Sequence, residues 1–344
     1  MNDTASLQFQ HGIPPLPSLV AVLVCAALMV TLYQTLFPRP ARWYVVALAL
    51  VLGGALTVSL TVLLTPTGQR LMEIHDLWSA LRIVVTTVGL PEEAVKGLAA
   101  LITILVFRRV MTPAMAFQAA LFAALGFAVV ENALYAKAFE SVSLPLALGR
   151  GIIASFIHSL MMMIQGTFLM RFVATGWRRW HLPILGWLCA AAAHAGFDWG
   201  MLKPLVIYLT KSGDAVAMQA AILESIPVLL IGIPAPFLIG LFLFRRALRK
   251  AGEADPRSVE PEYQARIARW SRAGNALLIL GGVGLVAAIG AAVYLGASGA
   301  LQPPPSSATS PDLAAEMKGS IAVTAAIVAA PAAMILGWLL RQKR

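Results

Sequence analysis

The chain has 344 residues, a net charge of +10, a hydrophobic content of 59% and a charged content of only 12%. Soluble domains carry roughly a quarter charged residues, and nucleic-acid binders gather their basic residues into one patch or stripe; this chain does neither. Its apolar runs exceed the ~20 residues that cross a bilayer. It therefore reads as an all-α polytopic membrane protein, with the lipid bilayer as a partner and nucleic acid excluded.

In chain order the apolar pattern predicts about nine transmembrane helices, over residues 16–37, 43–64, 78–107, 112–135, 146–172, 182–200, 221–244, 273–296 and 319–340. Asp3 is the only formal charge before the first run, so there is no basic n-region of a signal peptide. Every odd-numbered span ends in a basic loop: Arg39 and Arg42, Arg108 and Arg109, Arg171 with Arg178 and Arg179, Arg245 to Lys250, and Arg341 to Arg344. The alternate loops hold less, namely Arg70, Lys137, Lys203 with Lys211, and Lys318. The positive-inside rule then predicts the N-terminus outside and the C-terminus cytosolic.

Three regions follow. Residues 1–250 are expected to form a membrane-embedded core of about seven helices. Residues 251–272 form a charged cytosolic linker in which "YQARIARWSR" can lie as an interfacial helix with Ile267 and Trp270 toward lipid, or stay solvated. Residues 273–344 form a C-terminal transmembrane hairpin interrupted by the Pro/Ser-rich "SGALQPPPSSATSPD".

Ionisable residues inside spans are costly and functional by default. They fall on four adjacent helices: Glu92, Glu93 and Lys96 on the third, Glu131 with Asn132 on the fourth, His158 on the fifth, His194 and Asp198 on the sixth. At ~1.5 Å per residue they lie about 18–28 Å from the inner ends, so all reach one layer in the outer half of a ~30 Å core. Helices of alternating direction delivering polar groups to one depth predict a single site. Glu92 and Lys96, spaced i, i+4, share a face in the favourable order for an ion pair, and Glu93 points ~100° away. His194 and Asp198 share a face in the same way. Pro91 predicts a break at Gly89-Leu90-Pro91, with the outer half of the third span a re-entrant or gating segment.

Other features keep a structural reading. Cys25 and Cys189 read as small buried hydrophobes and form no disulfide framework. Met161 to Met163 read as packing, His75 and Asp76 as outer surface, and His181 as an interfacial anchor. Carboxylates, a lysine and histidines in one layer suit peptide hydrolysis or a proton- or ion-coupled transport path. Transporters tend to show repeated halves with matching helix breaks, and no repeat is visible here.

The segments "EEAVK" (Glu92 to Lys96), "FAVVEN" (Phe127 to Asn132), His158 and "HAGFD" (His194 to Asp198) resemble, in order and spacing, the motifs of the PrsW family of intramembrane proteases, within the superfamily of CAAX prenyl endopeptidases and Abi proteins. The resemblance spans roughly residues 70–205. Glu131 stands where the CAAX enzymes have histidine, which favours the PrsW branch over prenyl-protein processing. The resemblance implies a multi-pass protein of the bacterial inner membrane. It implies an endopeptidase that cuts a single-span membrane protein near the outer face, such as an anti-sigma factor. It implies Glu92, Glu93, His158 and His194 as catalytic residues, with Lys96, Glu131, Asn132 and Asp198 in support. Glu92 is the first choice of base, with Glu93 holding or replacing it. No cofactor is favoured; the alternative is a zinc enzyme holding its ion with His158, His194, Glu131 and Glu92. The HExxH pattern is absent.

Overall fold

A computed structural model describes residues 15–37, 40–63, 76–138 and 143–210, with a few further positions between 238 and 247. The described residues are mostly helical and contain no strand. Helix α1 is Leu16–Leu36, α2 is Trp43–Leu63 and α3 is Leu77–Ile83. A π-helical turn, Val84–Gly89, joins α3 to α4, Leu90–Val106. Then come α5, Pro113–Ala138, α6, Ser143–Ala174, and α7, His181–Thr210. Among the described residues three helices are long and apolar enough to cross a membrane, over Leu16–Leu36, Pro113–Lys137 and Arg150–Ala174. The predicted seventh, eighth and ninth spans and the 251–272 linker lie outside the described residues, apart from those few positions near the end of the seventh.

Local chemistry sets the boundaries. Pro17 stands in the first turn of α1 and Pro113 opens α5, where a missing N–H costs nothing. Asp76 and Ser79 form a reciprocal capping box at the start of α3, the Asp76 carboxylate accepting from the Ser79 N–H at 2.6 Å. Asp76 therefore has a structural task at a helix start, while His75 lies outside the described residues. Gly176 (φ 64°) and Trp177 (φ 67°) turn the chain from α6 into α7, the Trp177 N–H closing onto the Phe172 carbonyl.

Helix α5 is the axis of the bundle. Its stretch Ala116 to Ala128 is buried throughout, and α1, α2, α4 and α6 pack around it. Helix α7 closes the far side against α6, α4, the π turn and α3. Lipid tails are as apolar as the helices, so close packing of small residues replaces the hydrophobic drive that holds a soluble core together. The sequence supplies this with the alanine-rich run "AFQAALFAALGFA". At the α2–α5 crossing the backbones nearly touch: a Cβ on Gly126 would sit 2.0 Å from the Leu50 carbonyl oxygen. A Cβ on Gly53 would sit 2.2 Å from that of Ala123.

The predicted break in the third span is corrected. Gly89 (φ −57°, ψ −56°) and Leu90 (φ −64°, ψ −49°) are right-handed helical, so the outer half is neither re-entrant nor unwound. Pro91 lacks an N–H, and its ring clashes with the carbonyl four residues back in an α-helix. Widening the preceding turn removes the clash: the Leu90 N–H reaches back five residues to Val85. The Thr86 and Thr87 hydroxyls donate to the Arg82 and Ile83 carbonyls, a contact that bends helices. Met161, Met162 and Met163 are buried, as packing residues should be. Cys25 is buried, but Cys189 is exposed on α7, correcting the expectation that both cysteines face inward. It lies beside exposed Leu188 on the side of α7 turned away from the bundle.

Candidate active site

The first turns of α4 hold the centre. Lys96 is fully buried, and its ammonium donates to Glu93, which is fully buried too. The same Nζ lies 3.1 Å from His158 Nδ1, 3.7 Å from Glu92 Oε2 and 4.5 Å from the centroid of the Phe127 ring. An ammonium has only hydrogens to offer, so His158 Nδ1 accepts from it. His158 Nε2 then carries the ring proton and donates to Glu131 Oε2 at 2.7 Å.

His194 enters from α7. Its Nδ1 is 2.8 Å from Glu93 Oε1 and its Nε2 is 3.2 Å from Asp198 Oδ2, one helical turn further on. Both ring nitrogens thus face carboxylates. Gly89 lets α7 come this close, since a Cβ there would sit 2.8 Å from the Ala191 carbonyl oxygen, one turn before His194. Trp187 fixes the other side by donating its indole N–H to the Leu90 carbonyl at 2.9 Å. The His158 and His194 rings meet edge to face, centroids 5.7 Å apart.

The contacts form one chain from Asp198 through His194, Glu93, Lys96, His158 and Glu131 to Arg150, whose Nη2 donates to Glu131 Oε1 at 3.2 Å. The middle is closed off, whereas the Asp198 and Arg150 side chains at the ends are each 30% exposed. Glu92 hangs beside this chain, 17% exposed, and its Oε2 accepts no hydrogen bond from the described residues. The α4 ion pair differs from the i, i+4 expectation. Lys96 bonds to Glu93 at i, i+3 and keeps Glu92 at a longer distance, because Glu93 lies on the face turned toward α7 and His194. All eight residues singled out in the sequence thus lie in or beside one cluster, with Asn132 reached through Arg150.

Two imidazoles and a carboxylate are also a donor set for a divalent ion. One ligand atom from each of Glu92, His158 and His194 lies within 4.8 Å of the others. The residues fit such an ion: Glu92 has an orphaned oxygen, and each imidazole can present one nitrogen while the other keeps a carboxylate. Lys96 would give up its contact with His158 Nδ1. Glu131, expected among the ligands, instead supports His158 from behind.

Sequence reading missed Arg150, Tyr135 and Trp187. Arg150 was visible as a cation in an apolar run eight residues before His158, about 80° from it around the helix. Trp187 bonds a backbone carbonyl on a distant helix, for which a sequence carries no signal.

A family model described as "PrsW family intramembrane metalloprotease" matches residues 40–225, more than half of the chain. No match was found among curated proteins, and none among solved structures.

Proposed function

Since the chain belongs to the PrsW family of intramembrane metalloproteases, we propose that it is a metal-dependent endopeptidase of the bacterial inner membrane that cuts single-span membrane proteins near their outer face, an anti-sigma factor being the first candidate substrate. The observation that carries the reading is the convergence of Glu92, His158 and His194 from three helices to within 4.8 Å. These three would hold the ion, zinc being the natural choice for the donor set. When bound, the ion supplies Lewis-acid polarisation of the scissile carbonyl and acidification of a water. The preference for a metal-free site, drawn from sequence, yields to the family description and to this donor group. Family membership likewise displaces the transport reading.

The chain's own residues do the rest. Glu93 is locked between Lys96 and His194, Glu92 would be a ligand and Asp198 bonds the outer nitrogen of His194, so the proton step is assigned to Glu131, which is 17% exposed. In this reading Glu131 takes a proton from the attacking water. It returns that proton to the amide nitrogen as the C–N bond breaks. Lys96 supplies the positive charge that lets four carboxylates share one site. Asp198 and Glu93 hold the plane of the His194 ring. A second, metal-free reading is favoured by one contact, Lys96 on His158 Nδ1. There Glu92, with its free oxygen, carries the proton instead.

The test is reconstitution of the full chain in lipid nanodiscs with a panel of single-span proteins, including anti-sigma factors, and mapping of the cut by mass spectrometry. Wild type should cleave, with about one metal ion per chain. His158→Ala and His194→Ala should lose the metal and the activity together. Full activity in metal-free protein would sink the first reading and leave the second. Solute flux without cleavage by any chain would sink both.

A further inference from the structure

Arg150 is held by a single turn of α5. Glu131 accepts from its Nη2 at 3.2 Å. The Tyr135 ring, one turn later, lies under its guanidinium, 3.7 Å from Cζ to the ring centroid. Asn132, next to Glu131, donates its side-chain N–H to the Arg150 carbonyl at 3.4 Å. Head, plane and backbone are thus each fixed, which is more than an arginine snorkelling to the interface requires. The hold also gives a use to the Glu131-Asn132 pair: one residue binds the guanidinium and its neighbour binds the helix that carries it.

We propose that Arg150 is a positioning residue that aims Glu131 at His158 and so fixes which ring nitrogen of His158 faces the centre. Glu131 has two oxygens and two partners: Oε1 belongs to Arg150 and Oε2 to His158 Nε2. Without Arg150 the carboxylate can rotate, and it loses the cation that offsets its burial on the side away from Lys96. His158 then has no fixed acceptor for its Nε2 proton, and once a bound ion displaces Lys96 from Nδ1 nothing else fixes which nitrogen carries that proton. Outer-shell carboxylates act in this way on ligand histidines, and their loss typically costs about tenfold to a hundredfold in activity or metal affinity. The contacts of Arg150 run to Glu131, Tyr135 and Asn132 rather than to Glu92, His158 or His194, so its action runs through Glu131.

The catalytic half of the claim rests on the protease reading; the structural half does not, and two measurements separate them. The first is nitrogen NMR of histidine-labelled, metal-free full chain in nanodiscs, in a Lys96→Met, Glu93→Gln background that removes the ammonium from His158 Nδ1; the chain has five histidines, and His158→Ala assigns the signal. In that background His158 should be a single Nε2–H tautomer with Arg150 present and a mixture of both in Arg150→Met, with Arg150→Lys between them. An unchanged tautomer in folded Arg150→Met overturns the proposal whatever the protein cleaves. The second is a kinetic cycle on a cleaved substrate. Arg150→Met should lower kcat about tenfold to a hundredfold with KM little changed, and Arg150→Lys should restore part of it. On metal affinity, which does not depend on the Glu131 proton step, Arg150→Met should have little further effect in a Glu131→Gln background. A change confined to KM, or losses that multiply independently, would overturn it. If Arg150→Met does not fold, the same two measurements on Arg150→Lys and Tyr135→Leu decide.

Discussion

Replacing Lys96 by methionine tests how this fold tolerates its charges. Both Lys96 and Glu93 are fully buried, and Glu92 adds a second carboxylate at 3.7 Å. A unit pair at about that distance attracts by about 4 kcal/mol at an effective dielectric of ~20. Lys96→Met removes the ammonium and leaves Glu92, Glu93 and Glu131 facing two imidazoles and one arginine. Breaking a buried pair from one side typically costs about 3–5 kcal/mol. For a chain of 344 residues that is a fall in Tm of about 4–7 °C. Removing the charge from both partners, in Lys96→Met with Glu93→Gln, should recover most of the stability and none of the activity. Cysteine reactivity reads this directly, since Cys25 is buried and Cys189 exposed. In a Cys189→Ser background a thiol dye reports unfolding through Cys25 alone. A Tm for Lys96→Met within about 2 °C of wild type, or a double variant no more stable than the single, would refute the reasoning.

Three further outcomes follow from the packing. Gly126→Ala places a Cβ 2.0 Å from the Leu50 carbonyl oxygen, so it should cost about 1–3 kcal/mol by thermal unfolding. Activity per folded molecule should barely change, because the α2–α5 crossing carries no site residue. Gly89→Ala pushes against the Ala191 carbonyl oxygen at 2.8 Å and moves α7 off α4. Its kcat should therefore fall further than its Tm predicts, in cleavage assays run beside unfolding curves. Trp187→Phe deletes the bond to the Leu90 carbonyl and should cost about 1 kcal/mol, read as a small drop in Tm.

The order of the first six predicted helices was legible because a bilayer imposes one length and one polarity on a crossing helix, and three of the described helices are long and apolar enough to cross one. The depth argument brought Glu93, Lys96, Glu131, His158 and His194 together for the same reason: rise per residue converts sequence position into height. Azimuth is harder to read. The preference of Lys96 for Glu93 over Glu92 depends on where α7 stands around α4, and neighbours in a bundle leave no periodic mark on the chain. The π turn was read as a break because proline signals trouble in a helix without saying how the backbone resolves it. Arg150 was not singled out in the sequence, and its three contacts on α5 are what mark it.

The turn Val84–Gly89 also bears on how this chain can change in length. A π turn carries one more residue than α geometry allows, as a helix does after accepting a single insertion between fixed ends. Here both ends are held by tryptophans of α7, Trp199 on the Leu77 carbonyl and Trp187 on that of Leu90. Deleting one residue from "VVTTVG" would restore a regular helix and rotate Leu77–Ile83 by about 100°, turning buried Ala80 and Ile83 off their packed face. The residue count of this segment is thus more tightly constrained than its composition: exchange at exposed Thr86 leaves the register alone, and a one-residue gain or loss resets it.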